Sequence, residues 1–259
     1  MKIIDFHLHL SPTADVSREK NISQEKDLMA ILKGLSLNLR KNKIEKGLAI
    51  VLDQSFLEKD DLLKTLNKFD NLLFSFMIDF RQPNAIALLE MACSAKSFKG
   101  LKFHPTHQQI TRDDFESAMG LAKKASDLNK IIIIDCHSVS SFSLELDFAK
   151  YILRKVKTPV ILAHSGGLKA LEALVVALDF ENVYLETSFS VPFWLGSSIE
   201  QDLAYCFKKL GVERCLYGSD SPFMDIAESV RKTLSFLQKH NFSGKEINQI
   251  MSGTARSLI

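Results

Sequence analysis

The chain has 259 residues, 46% of them apolar and 25% charged, with a net charge of +2. This balance excludes an extended disordered chain, a strongly basic nucleic-acid surface and a general attraction to anionic membranes. No apolar run approaches the roughly 18 residues of a membrane-spanning helix, and the length suits a chain that buries its core without disulfide staples.

In chain order, the first strand-like run is Lys2–Leu10, broken by Asp5 and therefore a poor secretory leader. Gln24–Lys43 follows with Leu28, Ile31, Leu32, Leu35 and Leu39 spaced by three and four, which predicts a helix with one apolar stripe. The alternation then continues: strand Lys46–Leu52, helix Glu58–Asp70, strand Leu72–Phe80, helix Asn84–Lys96 opened by Pro83, strand Phe98–His104. Thr111 is placed to cap a helix over Arg112–Leu128, with Asp113 and Asp114 at its positive end. Beyond it come strand Ile131–His137, helix Ser143–Val156, strand Pro159–His164, helix Gly167–Leu178, strand Asn182–Ser188 and helix Ile199–Leu210. Strand Arg214–Asp220, helix Asp225–His240 and a last helix after Ser243 complete the chain.

Strand and helix alternating eight times imply parallel pairing by right-handed crossovers and a (β/α)₈ TIM barrel, read as a single domain over residues 1–259 with an extra C-terminal helix. The competing doubly wound sheet would carry a glycine-rich phosphate loop after its first strand, and none is present. No linker, repeat or low-complexity tract divides the chain. The cysteines Cys93, Cys136, Cys206 and Cys215 form no CxxC pair and lie in apolar stretches, so they read as buried thiols in a reducing, cytoplasmic setting.

The placement of the seven histidines carries the functional reading. His7 and His9 fall near the end of the first strand, and His104, His137 and His164 end the fourth, fifth and sixth; Asp220 ends the eighth. Barrel enzymes keep their chemistry at this face. Alternation along the first strand predicts that Asp5, His7 and His9 point into the barrel while Phe6 and Leu8 face the helices; Lys102 and His104 share a face in the same way. Two imidazoles from one strand, one from another and a carboxylate from a third suit a divalent metal, with zinc accepting this N/O set and keeping a water position open.

The motifs DFHLH, GLKFHP, HSGG, NVYLETS and GSDSP, in this order and with the GTARSLI ending, resemble the amidohydrolase superfamily. Within it they are most similar to the amidohydrolase-2 branch, which includes aminocarboxymuconate-semialdehyde decarboxylase and related lactonases. The resemblance covers essentially the whole chain. It implies that His7, His9, His137 and Asp220 hold a metal, that Asp220 also accepts a proton, and that His164 hydrogen-bonds water or substrate. The chain has Glu186 where the family often has Asp, and it is short for the branch.

Each residue also has a plainer reading. His7 and His9 alone would pass for satisfied core histidines, His137 for a strand-end cap and Asp220 for a helix N-cap. Asp135 reads as a salt bridge inside the barrel, with Lys102 as its partner. A strand-four lysine is carboxylated between two metals in other branches, and an electrostatic role for Lys102 is favoured over that here. His104 is a candidate substrate contact or a packing residue fixed by Pro105. Arg18, Lys20 and Arg81 are candidates to bind a substrate carboxylate. Phe189, Phe193 and Trp194 are candidates for an apolar pocket wall.

The expectation is a metal-dependent hydrolase of a small-molecule amide, ester or lactone, using a metal-activated water. Its catalytic residues are Asp220 and His164, and its cofactor is a divalent ion, foremost Zn²⁺, one per chain with two as the variant. His104, Lys102, Arg81 and Trp194 are the substrate-side residues. The alternative keeps the site and decarboxylates an aromatic or enol acid without oxidation. The partner expected is a small molecule, with neither nucleic acid nor membrane, and the oligomeric state is not fixed by the sequence.

Overall fold

A computed structural model describes residues 1–10, 28–58, 62–137 and 144–259. Apolar runs buried on both faces need cover from helices, and the chain supplies it unit by unit. The strands are β1 Ile3–His9, β2 Ile44–Val51, β3 Leu72–Met77, β4 Phe98–Phe103, β5 Ile131–Asp135, β6 Val160–Ala163, β7 Val183–Glu186 and β8 Cys215–Leu216. Between them run α1 Leu28–Lys41, α2 Leu62–Leu66, α3 Ala85–Ala92, α4 Phe115–Asp127, α5 Glu145–Leu153, α6 Ala170–Asp179, α7 Ser190–Trp194 and α8 Ser198–Leu210. After β8 come α9 Ile226–Lys239, α10 Gly244–Asn248 and α11 Thr254–Leu258. All neighbouring strands pair in parallel, in the order β1 to β8.

The sheet closes on itself just past the short β8. Phe6 N–H donates to Tyr217 O at 2.8 Å, Asp220 N–H to His7 O at 2.8 Å and His9 N–H to Ser221 O at 2.7 Å. The chain is therefore the expected eight-stranded parallel barrel. Thr111 and Asp114 form the expected capping box ahead of α4, and Ser243 with Glu246 forms another ahead of α10. All four cysteines are free thiols; Cys136, Cys206 and Cys215 are buried as expected, whereas Cys93, just past the end of α3, is only half-buried. Among the described residues no helix is long and apolar enough to cross a membrane.

Two apolar layers result. Leu8, Phe74, Leu101, Ile134, Leu162 and Leu185 face the helices and pack with residues such as Leu32, Phe148 and Phe207. Ile4, Phe6, Leu48, Ile50, Leu73, Ile133, Ile161 and Leu216 fill the barrel. Ala255, Leu258 and Ile259 join this inner cluster, and Arg256 forks onto Glu45 near the start of β2, with both N···O distances 2.9 Å. The extra C-terminal helix thus stops the barrel at the N-terminal ends of its strands, opposite the histidines.

Two expectations need correction. Phe6 lies with the inner cluster, not against the helices. The pairing of β1 with β2 advances three residues, Asp5 to Leu8, against two, Gly47 to Ala49. This β-bulge resets the alternation, so Phe6 still packs inward while His7 and His9 reach the site above it. Asp5 lies at the seam instead, accepting N–H bonds from Ser219 (2.9 Å) and His7 (3.2 Å). The strands also end earlier than expected. His104, His137 and His164 sit one or two residues past their ladders, and His164 and Asp220 have φ of 61° and 60°. Leaving the ladder at these points is what turns their side chains across the barrel mouth. Arg18 and Lys20 lie outside the described residues, as do the first turn of the helix expected from Gln24 and the expected helix start at Ser143.

Outside the site, Glu200 ties α8 to α9. Its buried carboxylate meets Lys239 Nζ at 2.7 Å, His240 Nε2 at 2.8 Å and Gly196 N at 2.6 Å. Burial opposes its charge, but these partners prevail and lower its pKa from 4.5 to about 2. A carboxylate whose pKa falls on folding stabilises fully above its unfolded pKa and loses that contribution as the pH drops through the folded one. Glu200→Gln is expected to cost about 1–3 kcal/mol at pH 7 and little at pH 2, with wild type and variant converging between pH 4.5 and 2 in thermal melts.

Candidate metal centre

Glu186, the last residue of β7, is buried beneath the barrel mouth. His7 Nδ1–H donates to its Oε1 at 2.9 Å, His164 N–H to the same oxygen at 2.8 Å, and Ser188 N–H to Oε2 at 3.1 Å. The Ser188 hydroxyl donates to Oε1 as well. Burial raises the cost of this charge, yet His7, His164 and Ser188 hold its pKa down at about 2. Gly218 makes the approach possible, since a Cβ there would lie 2.4 Å from Glu186 Oε2 and 2.7 Å from the His7 Cβ.

With Nδ1 engaged, His7 turns its Nε2 toward Asp220, whose Oδ1 is 3.5 Å away. That nitrogen is buried without a hydrogen-bond partner, and His137 Nε2 is buried in the same way. His9 Nε2 lies 3.2 Å from Asp220 Oδ1. His7, His164 and Asp220 each bring a ligand atom within 4.8 Å of the others, a group able to hold a metal ion. Burial opposes the charge of Asp220, but His9, His164 and His7 hold it ionised, well below the carboxylate range. Desolvation lowers the pKa of His7 and of His137. Neutral imidazoles facing an ionised carboxylate are the protonation states that a divalent cation requires of its ligands.

A second buried carboxylate organises the other side. Asp135 Oδ2 meets Lys102 Nζ and His164 Nε2, each at 3.1 Å, and His104 Nε2 at 3.6 Å. Burial would raise its pKa, but His104, Lys102 and His164 together hold it well below the usual range. Burial lowers His104 to about 4, against the pull of Asp135. His164 has burial against its charge, but Asp135, Asp220 and Glu186 raise it to about 9. Its Nδ1 also lies 3.1 Å from Ser188 O, so both ring nitrogens face acceptors.

Above these groups opens a cavity of about 310 Å³ lined by His9, His104, His137, His164, Asp135 and Asp220, together with Leu52, Thr106, His107, Glu145, Phe189 and Phe223. Lys102 is fully buried below it, in the expected bridge to Asp135. Arg81 does not line the cavity; it forks onto Asp114, at 2.9 and 2.8 Å. Trp194 packs against the outer core while Phe189 takes the wall position, its ring 4.3 Å from that of His137. His107 lines the cavity although it lies beyond any strand end, and His240 pairs with Glu200. Ser188 and Glu145 were not singled out from the sequence. Ser188 follows Glu186 by two in NVYLETS, a spacing that puts both on one face, whereas Glu145, in the first turn of the helix expected from Ser143, reads as an ordinary partner of the positive helix end.

The family model described as Amidohydro_2, amidohydrolase, matches residues 4–259. No curated protein sequence matches the chain. Similar solved structures include an uncharacterised TIM-barrel protein from Bordetella bronchiseptica, with 13% identity, a TM-score of 0.76, and 100% of this chain and 98% of that one covered. An amidohydrolase from Burkholderia multivorans with bound zinc has 16% identity and a TM-score of 0.67, with 100% and 99% covered. A dihydroxybenzoic acid decarboxylase from Polaromonas sp. JS666 with bound manganese has 13% identity and a TM-score of 0.65, with 99% and 96% covered. Likeness at these identities is likeness of fold. The family match spans all but the first three residues, and the chain belongs to the amidohydrolase-2 family.

Proposed function

We propose that the chain is a metal-dependent hydrolase of a small-molecule amide, ester or lactone. One observation carries the reading: a buried imidazole nitrogen, His7 Nε2, faces an ionised carboxylate oxygen at 3.5 Å with its other nitrogen fixed by Glu186. Two such acceptors gain from a cation placed between them. His7, His9, His137 and Asp220 would hold it, and this N/O donor set suits zinc or a similar divalent ion. When bound, the ion polarises a carbonyl oxygen and brings the pKa of water toward about 7.

The chain's own groups do the rest. Asp220, held ionised, accepts the proton of the attacking water at a carboxylate oxygen. His164, with both ring nitrogens held by Asp135 and Ser188 and its pKa raised to about 9, would offer positive charge, not a free N–H, to the developing oxyanion. Phe189 and Phe223 narrow the cavity around the substrate. The decarboxylase alternative needs a cation for the substrate carboxylate. Arg81, one of the two candidate cations, is engaged by Asp114 instead of facing the cavity, which favours the hydrolytic reading over one that relies on it.

His7→Ala and Asp220→Asn are expected to lose bound metal, measured as metal per chain, and more than about 100-fold in activity, while circular dichroism still reports a folded barrel. Full activity in either variant overturns the assignment. One ion per chain fits the proposed ligands; two would bring Lys102, His104 and His164 into a binuclear centre. Hydrolysis within a panel of amides, esters and lactones, set against carbon dioxide release from aromatic acids, separates the two reactions.

Glu186 acts through His7. A carboxylate on the remote nitrogen of a ligating histidine fixes its tautomer and raises its basicity, and such partners are worth about 10–100-fold in metal affinity. Glu186→Gln is expected to weaken zinc binding by about that factor in chelator competition, with the fold intact. Unchanged affinity would remove Glu186 from this role.

A further inference from the structure

His7 and His137, both proposed as ligands, are oriented in different ways. His7 is held through its Nδ1 by Glu186 Oε1, at 2.9 Å. Among the described residues no hydrogen bond reaches the ring of His137, whose Nε2 is buried; only its backbone N–H is tied, to Asp135 Oδ1 at 3.3 Å. A ligating histidine ordinarily has its second nitrogen fixed by an acceptor. Around His137, rings and backbone stand in that place. The Phe189 ring meets it nearly edge-on, with centroids 4.3 Å apart and planes at 66°, a favoured aromatic geometry. The His164 ring lies 5.3 Å away, and a Cβ on Gly167 would come within 3.4 Å of the His137 Cδ2, so backbone closes that edge.

Phe189 is held there against local preference. With φ 53° and ψ −58° it occupies the centre of a strained γ-turn, closed by Ser190 N–H donating to Ser188 O. Glycine adopts a positive φ without penalty, whereas phenylalanine does not. The turn is pinned on both sides by His164, whose Nδ1 lies 3.1 Å from Ser188 O and whose carbonyl accepts the Ser190 hydroxyl. From behind, Phe193 on α7 stacks on the Phe189 ring at 4.7 Å, with planes 20° apart. Strain of this kind persists where the surroundings over-determine it, and it gathers at functional sites. We propose that Phe189 is a positioning residue for the metal: its ring, locked by the γ-turn and by Phe193, sets the orientation of His137, as Glu186 sets that of His7 by a hydrogen bond. This inference rests on the metal-dependent reading, in which His137 is a ligand.

Three variants of the full chain separate the ring from the turn. Phe189→Ala and Phe189→Gly both lose the ring, and only glycine relieves the turn. Phe189→Tyr keeps the ring. Zinc affinity is read by chelator competition, and stability by thermal melts of the zinc-free chain. Both ringless variants are expected to bind zinc about tenfold more weakly, while Phe189→Tyr stays within about threefold of wild type. Phe189→Gly is expected to melt above Phe189→Ala, the reverse of their order at a negative φ. Zinc binding then follows the ring and not the stability. Unchanged zinc affinity in Phe189→Gly, or an affinity that recovers from alanine to glycine along with the melting temperature, overturns the proposal. Phe189→Gly melting below Phe189→Ala overturns the strained turn as what holds the ring. Should Phe189→Ala fail to melt cooperatively, Phe189→Gly against wild type decides alone. Failure of the metal reading looks different: wild type itself binds no zinc, or His137→Ala binds it as tightly as wild type, and either result removes this proposal as well.

Discussion

A carboxylate taken out of water costs several kcal/mol unless donors surround it. Glu186 is surrounded by His7 Nδ1, the N–H groups of His164 and Ser188, and the Ser188 hydroxyl. These donors come from β1, the turn after β6 and the turn after β7, so one side chain sets three strands relative to each other. It also decides which nitrogen of His7 is left to face Asp220. Gly218 contributes by having no side chain, since a methyl there would occupy the space of that carboxylate.

Asp135 repeats the principle one strand pair away. Lys102 is wholly enclosed, and its ammonium is tolerable there because Asp135 stands 3.1 Å from it. The same oxygen reaches His164, which Glu186 also holds through its backbone. His164 is therefore the hinge between two buried carboxylates. Its left-handed backbone, shared with Ser165 at φ 49°, is held in place by that double grip and not by local preference.

The barrel was legible because eight apolar runs separated by amphipathic stretches admit few other parallel folds. The histidines were legible because they cluster where those runs end. The orientation of Phe6 was not, because a bulge depends on the register between two strands and leaves no mark in one of them. Arg81 looked like a substrate-binding cation for want of its partner: Asp114 lies 33 residues further on and meets it only once α4 is placed. Trp194 and Phe189 were equal candidates for the wall, and the short helix α7 separates them: Phe189 precedes it and lines the cavity, while Trp194 ends it against the outer core. Glu186 was marked as a departure from the family pattern, but its function lies in contacts across the barrel that no single motif contains.

The seam that closes the barrel also has a temporal meaning. His9 and Asp220 are 211 residues apart, and they meet only because the segment after β8 bonds back onto β1. A growing chain presents both histidines of β1 almost at once and then must make nearly everything else before their carboxylate partner exists. Competence at this site is thus a report that the final strand has docked, and a chain stopped short of it carries half a centre, whatever the quality of the barrel formed so far.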